Sequence, residues 1–243
     1  MKKEWFATWF DTPYYHVLYK NRNDEEAKKS IGNLLEDLAI PANSDVLDLA
    51  CGKGRHSVTL HNAGYNVLGV DLSENSIKKA QQHAKEGLSF EVHDMRNLIP
   101  NRTFDAVFNL FTSFGYFDDT SDNLNVLKSV HQMLRTNGIL VIDFMNAHKV
   151  VQQLIPHETK EIDGIEFSIS KRYTGSHILK DIVFEADNKD YRFTERVQAL
   201  TYDDFESLLS TANFEILRTF GDFSLTKYDS DSSDRLIIVA QKK

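Results

Sequence analysis

The sequence predicts an α/β fold, a mostly parallel sheet with helices on both faces, interrupted late in the chain by an antiparallel β flap. Three observations carry this. From about Asn43 to Phe144 short continuous apolar runs alternate with amphipathic helical stretches, the pattern of parallel strands buried on both faces. A turn of small residues, Ala50-Cys51-Gly52-Lys53-Gly54, joins the first such run to the first such helix. From about Glu158 to Gln198 the period changes to alternation, as in Phe167-Ser168-Ile169-Ser170 and Ile182-Val183-Phe184-Glu185, which marks half-exposed antiparallel strands.

Taken in order, Tyr14, Tyr15, His16 and Tyr19 cluster ahead of a polar helix from about Asp24 to Leu38. These aromatics either pack the edge of the sheet or form a lid over a site. Asp45–Leu49 is the first strand, and Gly54–Asn62 has helical character. Asn66–Val70 is the second strand. Glu74–Lys85 reads as a helix with Ile77, Ala80 and Ala84 inward and Ser73 as its N-cap. Leu88–Val92 and Phe104–Leu110 are the third and fourth strands. Asp122–Leu134 is helical, with Asn137-Gly138 marking its end, and Ile139–Phe144 is a strongly apolar fifth strand. Three antiparallel strands follow, with turns at Gly175-Ser176 and Asn188-Lys189-Asp190. Tyr202–Thr211 is a helix, and Phe214–Phe220 and Leu236–Ala240 bring the main sheet to seven strands. The expected organisation is an N-terminal helical lid (1–42), a core (43–156), a flap inserted into it (157–199) and a C-terminal helix and strand pair completing the sheet (200–243).

Composition sets outer limits. A chain of 243 residues, 41% hydrophobic and 26% charged, buries roughly 70–75% of its unfolded surface in one sizeable core. Cys51 is the only cysteine, which excludes an internal disulfide framework and a cysteine-based zinc cluster; no metal site is read. The net charge of −8 disfavours nucleic acid and anionic membranes as partners. Glu4, Thr8 and Asp11 break the N-terminal apolar run, so no secretory signal is read. No stretch approaches bilayer-spanning length, and the expected compartment is the cytoplasm.

The small-residue turn carries the chemistry. Such residues let backbone approach a ligand closely, and the helix that follows presents free N–H groups and a positive dipole end. Asp71 stands at the end of the second strand, where a carboxylate accepts hydrogen bonds from ribose hydroxyls. Together these predict a ribose-bearing ligand across the carboxyl ends of the strands.

Asp48-Leu-Ala-Cys-Gly-Lys-Gly54 resembles the first motif of class I S-adenosylmethionine-dependent methyltransferases, which share a Rossmann-like fold. Four further segments match that family's order: Val70-Asp71-Leu72-Ser73, Val92-His93-Asp94-Met95-Arg96, Phe104-Asp105-Ala106-Val107 and Leu134–Ile142. The resemblance implies S-adenosylmethionine as cofactor and S-adenosylhomocysteine as product. It places Asp48 near the methionine amino group and the Ala50, Cys51, Gly52 and Gly54 backbone around the methionine part. It puts Asp71 on the ribose, Leu72 against the adenine, and Asp94 and the Met95 N–H on the adenine edge. Asn109 and Leu110 border the sulfonium. Ala50 departs from the glycine common at its position.

An N-terminal Tyr-rich helix and a β flap resemble methyltransferases acting on small metabolites, which implies an acceptor pocket walled by Tyr14, Tyr15, Tyr19, Phe114, Tyr116, Arg172 and Tyr173. The expected reaction is methylation of an N or O atom of a small-molecule acceptor. A catalytic residue is not identified; His16, Tyr116 and His148 are the candidates for a general base. Asn109-Leu110-Phe111-Thr112 lacks the Asn-Pro-Pro-Tyr type of motif found in enzymes that methylate exocyclic amines of bases. Two alternatives stand beside this reading. One is a catalytically silent cofactor-binding or interaction protein, and the other is a nicotinamide-dependent oxidoreductase. Against the latter, Gly52-Lys-Gly54-Arg-His-Ser57 lacks the third glycine of its fingerprint. Oligomeric state is not readable from the sequence.

Overall fold

The computed structural model describes residues 5–20 and 24–243, without the side chains of 24–30. Residues 1–4 and 21–23 of the expected lid lie outside the described residues. Two short helices open the chain, α1 (Trp5–Trp9) and α2 (Pro13–Leu18), followed by α3 (Asp24–Leu38). Thr12 starts α2 by accepting from the Tyr15 N–H at 3.1 Å, with Pro13 in the first turn, where its missing N–H costs nothing.

The core alternates β1 (Asp45–Leu49), α4 (Arg55–Asn62), β2 (Asn66–Asp71), α5 (Glu74–Ala80), β3 (Leu88–Val92), β4 (Phe104–Asn109), α6 (Thr120–Met133), β5 (Leu134–Met145) and α7 (Ala147–Gln152). After the flap, α8 (Tyr202–Thr211), β10 (Phe214–Phe220) and β11 (Arg235–Lys242) complete it. The seven-stranded sheet runs β10-β11-β5-β4-β1-β2-β3, with β11 antiparallel to both its neighbours and the other pairs parallel. This is the Rossmann-like arrangement that the sequence predicts.

Successive strand residues point to opposite faces, and both faces are buried. Leu47, Leu68, Val107 and Ile142 pack with Val126, Val130 and Phe205 of α6 and α8. Val46, Val67, Ala106 and Val141 pack with Ile31, Leu60 and Ile77 of α3, α4 and α5. No helix among the described residues is long and apolar enough to cross a membrane.

Three elements differ from expectation. Helix α5 stops at Ala80 and continues as one 3-10 turn, Gln81–His83, because Gly87 at φ 76° closes a tight turn into β3. Asn137-Gly138 does not end α6, which stops at Met133. It lies inside β5, where pairing with β4 jumps from Phe104↔Leu134 to Ala106↔Ile139. The left-handed Asn137 (φ 62°) thus shapes a bulge in the strand.

The flap has four strands instead of three: β6 (His157–Ile162), β7 (Ile165–Tyr173), β8 (His177–Ala186) and β9 (Lys189–Gln198), in sequential order. The extra strand, His-Glu-Thr-Lys-Glu-Ile, is an exposed edge, so it carries none of the apolar alternation that identifies a half-buried strand. The flap's apolar face, with Phe167, Ile169, Ile182 and Phe184, closes on Trp9 and Leu18 of the opening helices.

Gly69 sits in the sheet between Asp48 and Phe90. A Cβ there would meet Phe90 Cδ1 and Ser57 Oγ, each at 2.7 Å. Gly69→Ala therefore overpacks the layer beneath the glycine turn and is expected to cost about 1–3 kcal/mol in urea denaturation. An unchanged midpoint would contradict the packing described.

Candidate active site

The turn after β1 is built from left-handed residues. Ala50 has φ 65°, Gly52 φ 58° and Gly54 φ 82°. Gly54 is constrained twice, since a Cβ would come within 2.6 Å of the Phe90 ring. The turn is pinned to β2 from both sides: the Cys51 N–H donates to the Val70 carbonyl at 2.9 Å, and the Gly52 N–H donates to Asp71 Oδ2 at 2.8 Å. The other Asp71 oxygen accepts from the Ser73 N–H at 2.8 Å. One carboxylate thus ties the glycine turn to the start of α5. Burial raises the Asp71 pKa above the usual carboxylate range, against the opposing hydrogen bonds from Ser73 and Gly52.

Asp48 lies beneath the turn and is 1% exposed. Its Oδ2 accepts from Ser57 Oγ, in the first turn of α4, at 2.5 Å. Desolvation pushes its pKa up to about 6; the Ser57 hydrogen bond opposes this and the Asp71 charge adds to it. Burial, with Asp48 and Asp71 nearby, raises the Cys51 thiol well above its usual value, so Cys51 is a packing residue and not a nucleophile.

A cavity of about 710 Å³ opens at the carboxyl ends of the strands, the place where open α/β sheets bind ligands. Ala50, Cys51, Gly52, Asp71, Leu72, Asp94, Met95 and Leu110 line it, as do Tyr15, His16, Tyr19 and Tyr116. Asp94 is also forked by Arg96, whose Nε and Nη2 donate at 3.0 and 2.6 Å. Burial raises the Asp94 pKa, but the Arg96 bonds outweigh it and hold the carboxyl below its ordinary value. It is therefore an ionised acceptor at neutral pH.

The opening helices cover the cavity and are fastened on two sides. Asp11 accepts from Ser73 Oγ at 2.7 Å and from the Asn75 N–H and Nδ2 at 3.1 and 2.9 Å, which locks the α1–α2 corner onto the turn after Asp71. Glu195 of the flap accepts from Trp9 Nε1 at 2.8 Å and Tyr19 OH at 2.7 Å, with Lys180 donating to the same Tyr19 hydroxyl at 2.5 Å. His16 Nε2 is buried without a hydrogen-bond partner among the described residues. Burial, then Lys53 and Lys79, lowers its pKa to about 4, so the imidazole is neutral at physiological pH.

Several expected residues lie elsewhere. Tyr14 faces the flap, its hydroxyl donating to Asp187 at 2.7 Å. Phe114 is buried in the core against Phe205. Arg172 pairs with Asp181 on the outer flap, and Tyr173 is 45% exposed. His148 is exposed beside Gln152 and Asp231. None of these five lines the cavity. Asp48, Gly54 and Asn109 stand one layer behind its wall, Asn109 donating to the Leu49 carbonyl at 3.0 Å with its own Oδ1 unpartnered among the described residues. Conversely, Phe6, Phe10, Arg55, His56, Phe111 and Ser113 line the cavity without having been singled out. Phe6 and Phe10 precede the Tyr14–Tyr19 cluster on which the lid expectation rests, and the others match no binding motif.

The fold, the glycine turn and the paired strand-end acids define a class I S-adenosylmethionine-dependent methyltransferase. A family model described as a methyltransferase domain matches residues 40–195. YqeM of Bacillus subtilis (strain 168) is 31% identical over 218 residues, covering 85% of this chain and 87% of that one. A glycine/sarcosine N-methyltransferase of Aphanothece halophytica is 29% identical over 211 residues, covering 81% and 76%. Among solved structures, an S-adenosylmethionine-dependent methyltransferase from Clostridium acetobutylicum ATCC 824 superposes with a TM-score of 0.79 at 20% identity, covering 94% and 96%. The chain belongs to this methyltransferase family, which sets aside the nicotinamide alternative.

Because the folded pKa of Asp48 is raised, the native state holds that proton more tightly than the unfolded chain does. Stability contributed by protonated Asp48 is complete below about pH 4 and is lost as pH rises toward 6. Asp48→Asn is expected to stabilise the protein by about 1–3 kcal/mol at pH 7.5, with the gain shrinking toward pH 4. Urea denaturation at both pH values checks this, and a destabilised variant at pH 7.5 would contradict it.

Proposed function

We propose that this methyltransferase transfers the methyl group to the nitrogen of a small amine held between the glycine turn and the aromatic lid. The cavity fits the cofactor: ionised Asp94 and half-buried Asp71 border one end beside Leu72 and Met95, and Asp48 puts a desolvated carboxyl beneath the Ala50–Gly52 backbone. In this reading Asp71 holds the ribose hydroxyls, Asp94 and the Met95 N–H hold the adenine edge, and the field of Asp48 favours the methionine ammonium. When bound, the cofactor supplies a methyl group on a sulfonium, activated for in-line displacement.

The remaining work falls to the chain. The covering helices exclude water and restrict the acceptor to one approach. Tyr15, Tyr19, Tyr116, Phe10 and Phe111 wall the acceptor end, where apolar rings desolvate an amine lone pair. One observation favours nitrogen over oxygen: His16 and Tyr116, the two expected general bases that line the cavity, are not built as bases. His16 is held at about 4, and the Tyr116 hydroxyl donates to the Thr112 carbonyl. A hydroxyl acceptor needs a base in the site, whereas an amine enters after losing its proton to water. The glycine/sarcosine N-methyltransferase relative, which acts on nitrogen, supports the same choice.

Formation of S-adenosylhomocysteine from S-adenosylmethionine should be followed with glycine, sarcosine and methylamine set against phenol and 4-hydroxybenzoate. The expected result is turnover of at least one amine at ten or more times the rate of either hydroxyl compound. Turnover confined to the hydroxyl compounds, or to none of the five, would overturn the amine reading.

A further inference from the structure

We infer that Asp143 and Arg235, which lie outside the cavity, are positioning residues that hold a strained turn as the acceptor-facing wall. The turn follows β4. Phe111 and Thr112 both have φ 59°, two consecutive non-glycine residues in the left-handed region, the second of them β-branched. Such strain persists only where the surroundings over-determine it.

The surroundings here centre on the Asp143–Arg235 ion pair. Asp143 in β5 is 0% exposed. Its Oδ2 accepts from the Phe111 N–H at 2.7 Å, its Oδ1 from Arg235 Nε at 2.7 Å, and its main-chain carbonyl from the Thr112 N–H at 2.9 Å. Arg235, the first residue of β11, also donates from Nη2 to Thr112 Oγ1 at 3.1 Å. Both strained residues are thereby held through N–H groups and a side chain from the two neighbouring strands.

The turn sets the wall of the acceptor end. Phe111 is stacked on His56 with ring centroids 5.0 Å apart and lies under the Arg55 guanidinium at 4.6 Å. The Tyr116 hydroxyl donates to the carbonyl of strained Thr112, so relaxing Thr112 moves Tyr116 as well. Phe111, Ser113 and Tyr116 line the cavity, whereas Asp143 and Arg235 do not. The glycine turn is pinned separately, by Asp71 and Val70. Loosening the ion pair therefore disturbs the acceptor wall and spares the cofactor end. The kinetic half of this inference rests on the amine-acceptor reading; the structural half does not.

The test uses the full chain labelled with 15N. In Asp143→Asn, whose amide sets an N–H group against one of two donors, and in Arg235→Lys, the amide resonances of Phe111, Thr112, Ser113 and Tyr116 should move. Those of Gly52 and Gly54 should stay, and S-adenosylhomocysteine should bind within twofold of wild type. With the amine that wild type turns over fastest, kcat/KM should fall at least tenfold. Adding Thr112→Gly, which removes the left-handed strain at that residue, should restore part of the loss. Unmoved turn resonances, a matching loss of S-adenosylhomocysteine affinity, or no rescue would overturn the inference. If Asp143→Asn does not fold, Arg235→Lys decides by the same criteria. Wild type that turns over no amine would sink the amine reading and leave the resonances to decide this one.

Discussion

The site depends on a carboxyl that the fold keeps away from water. Asp48 is buried beneath a turn of left-handed residues with Ser57 as its hydrogen-bond partner, and desolvation leaves it near the point of protonation. Burying an ionised group without full compensation is costly, and stability alone would be served by a neutral residue. The arrangement makes sense if a cation arrives. A ligand ammonium near the Ala50–Gly52 backbone would draw the proton off Asp48 and recover part of what burial cost. The surrounding residues fix where that carboxyl and the turn above it sit. Gly69 leaves room for Ser57 and Phe90, and Asp71 fixes the glycine turn to the next helix.

The covering layer is assembled from far-apart parts of the chain. Asp11 fastens the opening helices to the turn after Asp71, and Glu195 fastens them to the flap through Trp9 and Tyr19. Gln198 joins the flap to the core, accepting from Asn123 Nδ2 at 2.6 Å and donating to the Phe117 carbonyl at 3.0 Å. The opening helices are thus tied to the turn after Asp71 on one side and to the flap on the other. The enclosed space between them is where an acceptor would be sealed from water.

Much of this was legible in the sequence where the determinants are local. The glycine turn, Asp71 at its strand end and the alternation of strands with helices each occupy a few consecutive residues, and the structure places them at one cavity. What was not legible depends on partners distant in the chain. Ser57 carries no motif, and Asp11, Glu195 and the Asp143–Arg235 pair acquire meaning only when the sheet and flap bring their partners together. Tyr14 and Tyr15 are adjacent in sequence, yet one faces the flap and the other the cavity, because neighbouring residues on a helix point in different directions. Phe114 similarly turned out to be core material, and the polar edge strand β6 lacked the apolar alternation that would have revealed it.

If the proposed function is right, a cation bound over the glycine turn is recognised by the ionised form of Asp48. Calorimetric titration of S-adenosylhomocysteine at pH 7.5 and pH 5.0, for wild type and Asp48→Asn, tests it directly. With the Asp48 pKa at about 6, wild-type affinity should fall about tenfold at the lower pH, and the variant should bind weakly with a flatter pH dependence. Wild-type affinity that is the same at both pH values, or a variant that binds as tightly as wild type at pH 7.5, would contradict the account.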